Sequence, residues 1–249
     1  MIRRAERCRS CASSATSRQS AFSRRLPLSF AIDHAVVAVR DLEAAAAGFR
    51  QIGFTLTPRG DHSIGSHNHC IMFGSTYIEL LAAPKPHPWL DYYRAFLRSG
   101  DGLAAIALRT QDADAAYEAL RAAGVAAGEP MDLSRPVDGG LARFRLVQIE
   151  GVANVFVCQH LTPELVWRPE WQRHANGAAE LIGAALAAKR PFDGLPASIE
   201  WSATPALRIS GLRSETQAYG VKLLRPSARA ALSPRRARNR SARHRRRRA

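Results

Sequence analysis

The most constraining feature of the chain is a phrase that occurs twice, 71 residues apart. The first copy is His34-Ala-Val-Val-Ala-Val-Arg-Asp41, and the second is Ala105-Ile-Ala-Leu-Arg-Thr-Gln-Asp112. Each run of small and β-branched residues predicts a buried strand, and the aspartate that ends it is a preferred N-cap for the alanine-rich helix that follows. The chain is therefore predicted to contain a duplicated strand–helix unit, with a histidine at the start of one copy only.

Further strands are predicted after each helix. The first helix, 41–52, is followed by strands starting at Phe54 and covering 69–73 and 76–82. The second helix, 112–123, is followed by strands at 125–127, 141–149 and 154–160. A proline-broken linker lies between the two sets. The sequence thus predicts an α+β fold of two βαβββ modules, 31–83 and 101–160, with the helices outside two curved mixed sheets.

The charge of the chain is concentrated at its two ends. The formal net charge is +15, but residues 1–30 hold seven arginines and one acid, and residues 225–249 hold eleven arginines and no acid. Residues 31–224 keep 18 basic and 20 acidic residues. The body is near neutral, so the basicity does not indicate a folded nucleic-acid reader. Neither end has an apolar pattern that would bury a face, and both are predicted to be disordered.

The remaining boundaries follow from where this patterning stops. A closing segment, 161–190, completes a domain over 31–190, and 191–224 is expected to be a poorly defined, truncated third module. The arginine- and serine-rich head has the composition of a transit peptide, with translated GC-rich sequence as the alternative. No apolar stretch is long enough to span a membrane. Cys70 and Cys158 lie in strand-like runs, which is typical of reduced, buried thiols and of a cytoplasmic protein.

Several of these motifs resemble those of a known superfamily. Ile32-Asp-His34, Arg40-Asp-Leu42, Ile52-Gly-Phe54 and Tyr77-Ile-Glu-Leu80, in the doubled βαβββ order, resemble the vicinal-oxygen-chelate superfamily. The segment 62–69, the stretch 158–167 and Asn176-Gly-Ala178 are similar to its glyoxalase-like branch. The resemblance covers about 31–185. It implies a half-open barrel of curved sheet, as in glyoxalase, bleomycin-resistance and dioxygenase proteins, around a cavity.

The resemblance also implies a divalent metal, such as Zn, Ni, Mn or Fe, bound by the first and last strands of each module. In this sequence the first module offers His34 and Glu79 as metal ligands and catalytic residues, with Glu79 as a general base. The second module has Ala105 at the first position and Phe156 or Val157 at the last. Half of the expected shell is therefore missing, and any metal should be held weakly. The alternative is that His34 and Glu79 are structural residues.

Other polar side chains are predicted to contact a ligand. They cluster in a glycine-containing loop with the strand after it, and near the end of the last strand. They could equally serve as turn, capping or structural groups. Nucleophilic catalysis by a thiol is disfavoured, because nothing in the sequence activates it. The candidates are His62, Ser66, Asn68 and His69, together with Cys158 and His160.

Two functions are compatible with these residues. The first is a metal-assisted lyase or isomerase acting on a small carbonyl or hydroxy-carbonyl compound. The second is a non-catalytic binding protein of the drug-sequestering type. An extradiol dioxygenase is disfavoured, because it would need an imidazole at Ala105. We expect a small-molecule ligand, no nucleotide cofactor, no specific nucleic acid and no membrane, with a homodimer as a candidate assembly.

Overall fold

A computed structural model describes residues 29–151, 155–188, 190, 192–193 and 195–226. The predicted disorder of the arginine-rich ends concerns segments that lie almost entirely outside these residues. The helices are short, and within the described ranges none is long and apolar enough to cross a membrane. Strands dominate the rest, which agrees with the predicted α+β class.

The first module follows the predicted order with one change. The strand expected to begin at Phe54 is absent, and extended chain leads instead to a two-residue strand at the edge of the sheet. Gly53, with φ of 88°, turns the chain at the end of the first helix, as a glycine in this position can do without strain. The elements are β1 (Ala31–Ala38), α1 (Leu42–Gln51), β2 (Gly60–Asp61), β3 (His67–Met72) and β4 (Tyr77–Ala82).

The second module repeats this plan after a linker that is partly helical. The linker contains a 3-10 turn (Pro88–Leu90) and α2 (Asp91–Phe96). The short strand predicted at 125–127 is reduced to one bridge, between Ala127 and Ile149, and a strand that was not predicted follows it. The module comprises β5 (Gly102–Arg109), α3 (Ala113–Ala122), β6 (Met131–Val137), β7 (Gly140–Gln148) and β8 (Val155–His160).

The eight strands form one sheet rather than two. Its order is β2-β3-β4-β1-β5-β8-β7-β6, with β1 and β5 antiparallel at the centre. The sheet curls so far that its two edges meet, and the backbone N–H of Ser63 donates to the carbonyl of Ser134 at 2.8 Å. The predicted paired-module barrel is confirmed, and it is nearly closed.

The two faces of the curled sheet bury different sets of residues. Alternate side chains of a strand point to opposite faces, so β1 sends Val37 outward and His34 and Val36 inward. On the outer face α1 and α3 pack through Phe49 and Leu120, both fully buried. The N-cap aspartates Asp41 and Asp112 each accept a backbone N–H, at 2.9 Å, as predicted. The inner face encloses the cavity.

The segment after the barrel forms a second sheet, which corrects the prediction of a poorly defined stretch at 191–224. Its strands are β9 (Glu180–Leu186), β10 (Ile199–Trp201), β11 (Ala206–Ser210), β12 (Thr216–Ala218) and β13 (Val221–Leu224), in the order β10-β9-β11-β13-β12. Buried residues of this sheet, such as Leu207 and Leu223, join the outer core of the barrel. Asn176 docks the segment, because its side-chain amide donates to the carbonyl of Ile52 at 2.9 Å.

Candidate active site

The curled sheet encloses a cavity between the inner faces of the two modules. Its free volume is about 60 Å³, room for roughly four to six water-sized groups. The first module contributes a polar wall, whereas the linker and the second module contribute mainly apolar and aromatic side chains. The polar wall consists of His34, His62, Ser66, Asn68 and Glu79, and the facing side chains include Trp89, Tyr93, Leu133, Phe144, Leu146 and Phe156.

His34 and Glu79 lie next to each other on the polar wall. In the parallel pairing of β1 with β4, Tyr77 lies opposite His34 and Glu79 lies two residues further along, so His34 and Glu79 point to the same side. Nε2 of His34 is 3.8 Å from Oε2 of Glu79, and the two residues are only 3% and 8% exposed. The Tyr77 ring stacks on His34 with centroids 4.2 Å apart, which fixes the plane of the imidazole.

A buried carboxylate holds the other side of His34. β1 shifts its register between Ile32 and His34, and this bulge brings Asp33 to His34. The Asp33 Oδ2 atom lies 2.7 Å from Nδ1 of His34 and 2.9 Å from Nε2 of His160. The guanidinium of Arg109 donates to Oδ1 at 2.9 Å. Asp33 therefore joins three basic side chains.

These contacts determine the protonation of Asp33. Burial alone would raise the pKa of Asp33, but the hydrogen bonds from His160 and His34 outweigh burial and hold it well below its usual value. An ionised carboxylate only accepts hydrogen bonds. We therefore assign a proton to Nδ1 of His34, and Nε2 of the same ring faces Glu79.

Glu79 is held by the loop and strand before it. Asn68 donates its side-chain N–H to Oε1 of Glu79 at 2.7 Å, and Nε2 of His62 is 3.9 Å from the same oxygen. His62 also contacts the hydroxyl of Ser66, at 2.9 Å. Burial lowers the pKa of His62 to about 4, although the charge of Glu79 acts in the opposite direction. His62 is therefore neutral at pH 7, and Oε2 of Glu79 is left to face His34.

His69 lies outside this cavity, which corrects its prediction as a ligand contact. Its neighbours Asn68 and Cys70 point inward along β3, so His69 points outward. Nδ1 of His69 is 2.8 Å from the carbonyl oxygen of Thr57, and Nε2 is 3.5 Å from Oε1 of Glu43 on α1. Its role in the described structure is to connect β3 to the outer layer.

Cys158 and His160 occupy different places. Cys158 lines the cavity, and burial raises the pKa of its thiol well above the usual value, so it is a thiol and not a nucleophilic thiolate. His160 lies beyond the end of the cavity, packed against Trp167 with ring centroids 4.5 Å apart. It lines a surface pocket with Arg109. The prediction that His160 contacts the ligand is thus corrected: its Nε2 reaches Asp33.

The two residues predicted to bind a metal are of types that commonly serve as metal ligands. A nitrogen and a carboxylate oxygen 3.8 Å apart are spanned by two metal–ligand bonds of about 2.0–2.2 Å, at a wide angle. The carboxylate behind His34 is also the partner that commonly orients a metal-bound imidazole. In number the fit is incomplete, because His34 and Glu79 supply two ligands of the usual four. Water and ligand oxygens would have to complete the shell.

A second group of donor atoms is less suited to a cation. Asp33, His34, Cys158 and His160 place one donor atom each within 4.8 Å of one another. However, two imidazoles and the guanidinium of Arg109 already occupy the carboxylate of Asp33. The positive charge of Arg109 also opposes the binding of a cation there. This group is best described as a hydrogen-bonded network that positions His34.

The second module presents the apolar counterpart of the His34–Glu79 pair. β5 pairs with β8 as β1 pairs with β4, and Phe156 takes the place of Glu79. Phe156 lines the cavity and Val157 belongs to the outer core, which settles the alternative that the sequence left open. Ala105, the counterpart of His34, is buried on the inner side. The cavity thus has one ligand-bearing wall.

Sequence reasoning missed several cavity or network residues, among them Asp33, Tyr77 and Arg135. Asp33 stands next to His34 in the sequence, but simple alternation assigns it to the opposite face, and only the bulge brings it to the imidazole. Tyr77 belongs to a motif of the resemblance that gives it no role. Arg135 lies on β6, which the prolines Pro130 and Pro136 made look like a loop. The one sequence signal for this network was the Asp33-His34 pair, two polar residues next to each other in an otherwise apolar strand.

The profile of the glyoxalase-like domain family matches residues 32–218 of the sequence. The chain belongs to this family. The match includes both modules and most of the second sheet, and it confirms the resemblance to the glyoxalase-like branch of the vicinal-oxygen-chelate superfamily. No curated protein matches the chain.

Solved structures are similar to this glyoxalase-like protein to different extents. A hypothetical protein from Staphylococcus aureus has a TM-score of 0.59 and 14% identity, over 78% of this chain and 99% of that one. Methylmalonyl-CoA epimerase from Mycobacterium tuberculosis has a TM-score of 0.40 and 21% identity, over 52% and 85%. A methylmalonyl-CoA epimerase in complex with methylmalonyl-CoA and NH4+ has a TM-score of 0.40 and 22% identity, over 53% and 93%. The long match to the staphylococcal protein supports one fold for the barrel and the segment after it.

Proposed function

We propose that this glyoxalase-like protein is an isomerase or lyase that moves a proton between adjacent carbons of a small carbonyl or hydroxy-carbonyl compound. The observation that carries the proposal is the pair His34 and Glu79. Their facing atoms are 3.8 Å apart, both side chains are buried on the cavity wall, and Asp33 fixes the imidazole from behind. A carboxylate beside an oriented imidazole is a suitable pair for proton transfer.

In the proposed reaction Glu79 is the base. The hydrogen bond from Asn68 to Oε1 leaves Oε2 of Glu79 free to take the proton from the carbon that carries the ligand's hydroxyl. A protonated His34 donates its Nε2 proton to the neighbouring carbonyl oxygen, and a neutral enediol forms. Glu79 then returns its proton to the former carbonyl carbon, and His34 takes the proton of the other hydroxyl. Both residues end in their starting state, and the carbonyl has moved by one carbon.

A divalent ion would take the place of the Nε2 proton of His34. His34 through Nε2 and Glu79 through its carboxylate would hold it, and when bound it would supply Lewis-acid stabilisation of negative charge on ligand oxygens. A metal ion bound to His34 and a proton on its Nε2 would each place positive charge at the same point beside Nε2. Asp33 supports both roles, because it fixes the orientation of the ring. We expect His34→Ala to reduce the metal content of the purified protein, measured by mass spectrometry, without loss of fold by circular dichroism.

The proposed activity is testable by proton exchange. The full chain in D2O would be incubated with hydroxyacetone, glyceraldehyde and lactaldehyde, and deuterium incorporation next to the carbonyl followed by NMR. We expect incorporation above the buffer rate for at least one compound. Glu79→Gln should lower that rate by about 100-fold or more, because a positioned base contributes about 10²–10⁴-fold. Glutamine still accepts the hydrogen bond from Asn68, which preserves the wall.

The matched control is Glu43→Gln, which removes an exposed carboxylate from α1 and should leave the exchange rate unchanged. Equal rates for Glu79→Gln and the wild type would exclude Glu79 as the base. Exchange no faster than in buffer for every compound would count against the enzyme.

A second candidate function is a binding protein without turnover. It is favoured by the facing wall, where Ala105 and Phe156 stand in place of ligand-bearing residues and aromatic side chains such as Trp89 surround the space. Such a protein would bind compounds of the same class but leave their C–H protons in place. The exchange experiment distinguishes the two functions, because binding without deuterium incorporation is the result that the binding protein predicts.

A further inference from the structure

Arg135 is the one cavity residue whose charge the described structure leaves without a partner at close range. It lies on β6, is 4% exposed, and lines the cavity with His62 and Asn68. Its Nε is buried and has no hydrogen-bond partner among the described residues. The same residues place no carboxylate oxygen within 4.0 Å of its guanidinium, and the ionisable side chains within that distance of the Glu79 carboxylate are His34 and His62.

A buried and unpaired guanidinium is costly. Removing a charge from water without a partner costs several kcal/mol, and an arginine offers rigid, paired donors that match a carboxylate in bidentate geometry. A structural arginine would be expected to pair with an acidic residue or with backbone carbonyls. The described structure gives Arg135 neither, so its donors are available to a ligand.

An acceptor lies beside these donors. Because Asn68 donates its Nδ2 proton to Glu79, the orientation of the amide is fixed, and its Oδ1 is buried without a hydrogen-bond partner in the described part of the chain. The absent side chain of Gly60 makes room for both groups. A Cβ at this position would lie 2.5 Å from Oδ1 of Asn68 and 2.8 Å from Nη1 of Arg135. Both groups therefore border the space left by the missing side chain of Gly60.

We propose that the cavity binds a small hydroxycarboxylic acid, with its carboxylate on Arg135 and its hydroxyl donating to Oδ1 of Asn68. The free volume of about 60 Å³ suits an acid of three or four carbons. Because Asn68 also donates to Glu79, a hydroxyl bound at Oδ1 of Asn68 places the carbon that carries it toward the base. The inference names the ligand class for the site. The carbonyl shift of the proposed function applies to those hydroxy acids that also carry an aldehyde or ketone next to the hydroxyl, and the inference rests on the proposed function only for that reaction.

The first test compares acids with their amides on the wild-type chain. Glycolate, lactate, 2-hydroxybutanoate and 3-hydroxybutanoate would be titrated against the full chain by ligand-observed NMR, each beside its neutral amide. A hydrogen bond to a charged group contributes about 1.5–3 kcal/mol, which is about tenfold or more in affinity. We therefore expect at least one acid to bind at least about tenfold more tightly than its amide. If no acid binds more tightly than its amide, the inference is wrong. This test uses only the wild-type chain.

The second test replaces Arg135 or changes the space beside its guanidinium. Arg135→Gln should abolish the advantage of the acid over the amide, and Arg135→Lys should keep part of it, because a lysine retains charge but not the bidentate geometry. Gly60→Ala should weaken acid binding by a smaller factor, since the new Cβ displaces only side-chain atoms. The matched control is Arg143→Gln, an exposed arginine on the neighbouring strand β7, which should change nothing.

The outcomes separate this inference from the proposed function. Acid binding that depends on Arg135, without proton exchange in any compound, supports the ligand class and overturns the enzyme. Proton exchange on neutral compounds at a rate unchanged by Arg135→Gln supports the enzyme and overturns the ligand class. Retention of the acid's advantage in a folded Arg135→Gln variant, with the melting temperature as the check of folding, also overturns it.

Discussion

The two modules share a backbone plan but line the cavity with opposite chemistry. The strands β1 and β5 each carry a register shift, and the residues at the shifts, Asp33 and Ala104, are equivalent in the repeat. In the first module the inner positions hold His34 and Glu79, whereas the second module holds Ala105 and Phe156 at the equivalent positions. The duplicated backbone is needed to close the barrel. The proposed proton transfer uses His34 and Glu79, which both lie on one of the two walls.

The apolar wall still affects the chemistry of the polar one. Aromatic and aliphatic side chains exclude water, and charges that interact in such surroundings interact more strongly than in solvent. The pair of His34 and Glu79 therefore depends on its apolar counterpart. Arg135 is the charged exception within the second module, and it reaches the first module because the sheet edges meet at Ser63 and Ser134.

The largest predicted effect comes from giving the second wall the residue of the first. Phe156→Glu would place a carboxylate in an apolar wall with no partner built for it, and near Glu79. We expect a loss of roughly 3–5 kcal/mol in the free energy of unfolding, measured by urea denaturation at pH 7. Phe156→Met keeps the wall apolar and should cost only about 1–2 kcal/mol. Similar losses for both variants would show that the second wall tolerates charge, and the contrast between the walls would lose its physical meaning.

The next effect concerns the residue behind the imidazole. Asp33→Asn removes the charge that orients His34, and loss of such a supporting carboxylate typically costs about 10–100-fold in activity or metal affinity. We expect this drop in the exchange rate at saturating substrate, with little change in KM, because Asp33 does not line the cavity. The 15N shifts of the His34 ring should change as well.

The control for this prediction is Asp132→Asn, which removes an exposed carboxylate paired with Arg145. It should leave both the rate and the His34 ring shifts as in the wild type. An Asp33→Asn variant that keeps the wild-type rate and shifts would reduce Asp33 to a structural residue.

A smaller effect separates the two faces of the first module. His62 lines the cavity, and His69 lies on the outer side of β3. Replacement of each by glutamine preserves a polar side chain but changes its hydrogen bonds. We expect His62→Gln to change the affinity for hydroxy acids by about two- to tenfold, the range of one neutral hydrogen bond, and His69→Gln to leave it unchanged. Ligand titration by NMR measures both, and an effect of His69→Gln as large as that of His62→Gln would contradict the assigned faces.

The repeat allowed much of the fold to be predicted from sequence. The phrases around Asp41 and Asp112 located β1, α1, β5 and α3, since buried strands and capped helices have strong local patterns. The edge strands were missed or misplaced, because β2 has two residues and β6 contains Pro136, which an edge strand tolerates. The strands β10–β13 are three to five residues long, too short for alternation to separate them from loops.

The site could be predicted only in part. His34, Glu79 and Asn68 reach the cavity as their positions on strands imply, and His62 and Ser66 reach it from the loop. Asp33 could not be assigned, because a register shift changes which face a residue occupies. Arg135 could not be assigned either, because closure of the barrel brings it to the polar wall and closure has no local sequence pattern. Long-range geometry, rather than residue type, limited the prediction.

The smallest predicted effect is a pH dependence at the contact between the closing segment and the first module. The backbone N–H of Thr55 donates to Nδ1 of His174 at 3.0 Å, and Nε2 of His174 donates to the carbonyl of Met72 at 2.9 Å. A neutral imidazole satisfies both contacts, whereas protonation of Nδ1 would break the first. Burial lowers the pKa of His174 below its usual 6.5, although the bond to Met72 acts in the opposite direction.

The direction of the effect follows from this lowered pKa. The unfolded chain binds more protons than the folded chain once the pH falls below about 6.5, so the stabilisation is complete above that pH and is lost as the pH falls further. We expect the contribution to be of the order of 1 kcal/mol, the usual net value of one hydrogen bond. Urea unfolding of the wild type and of His174→Gln between pH 5 and 7.5 measures it, because glutamine can both accept and donate but does not titrate. The difference in unfolding free energy between the two proteins should therefore shift in favour of the variant as the pH falls, and a difference that stays constant would mean that the closing segment is held by Asn176 and the apolar core instead.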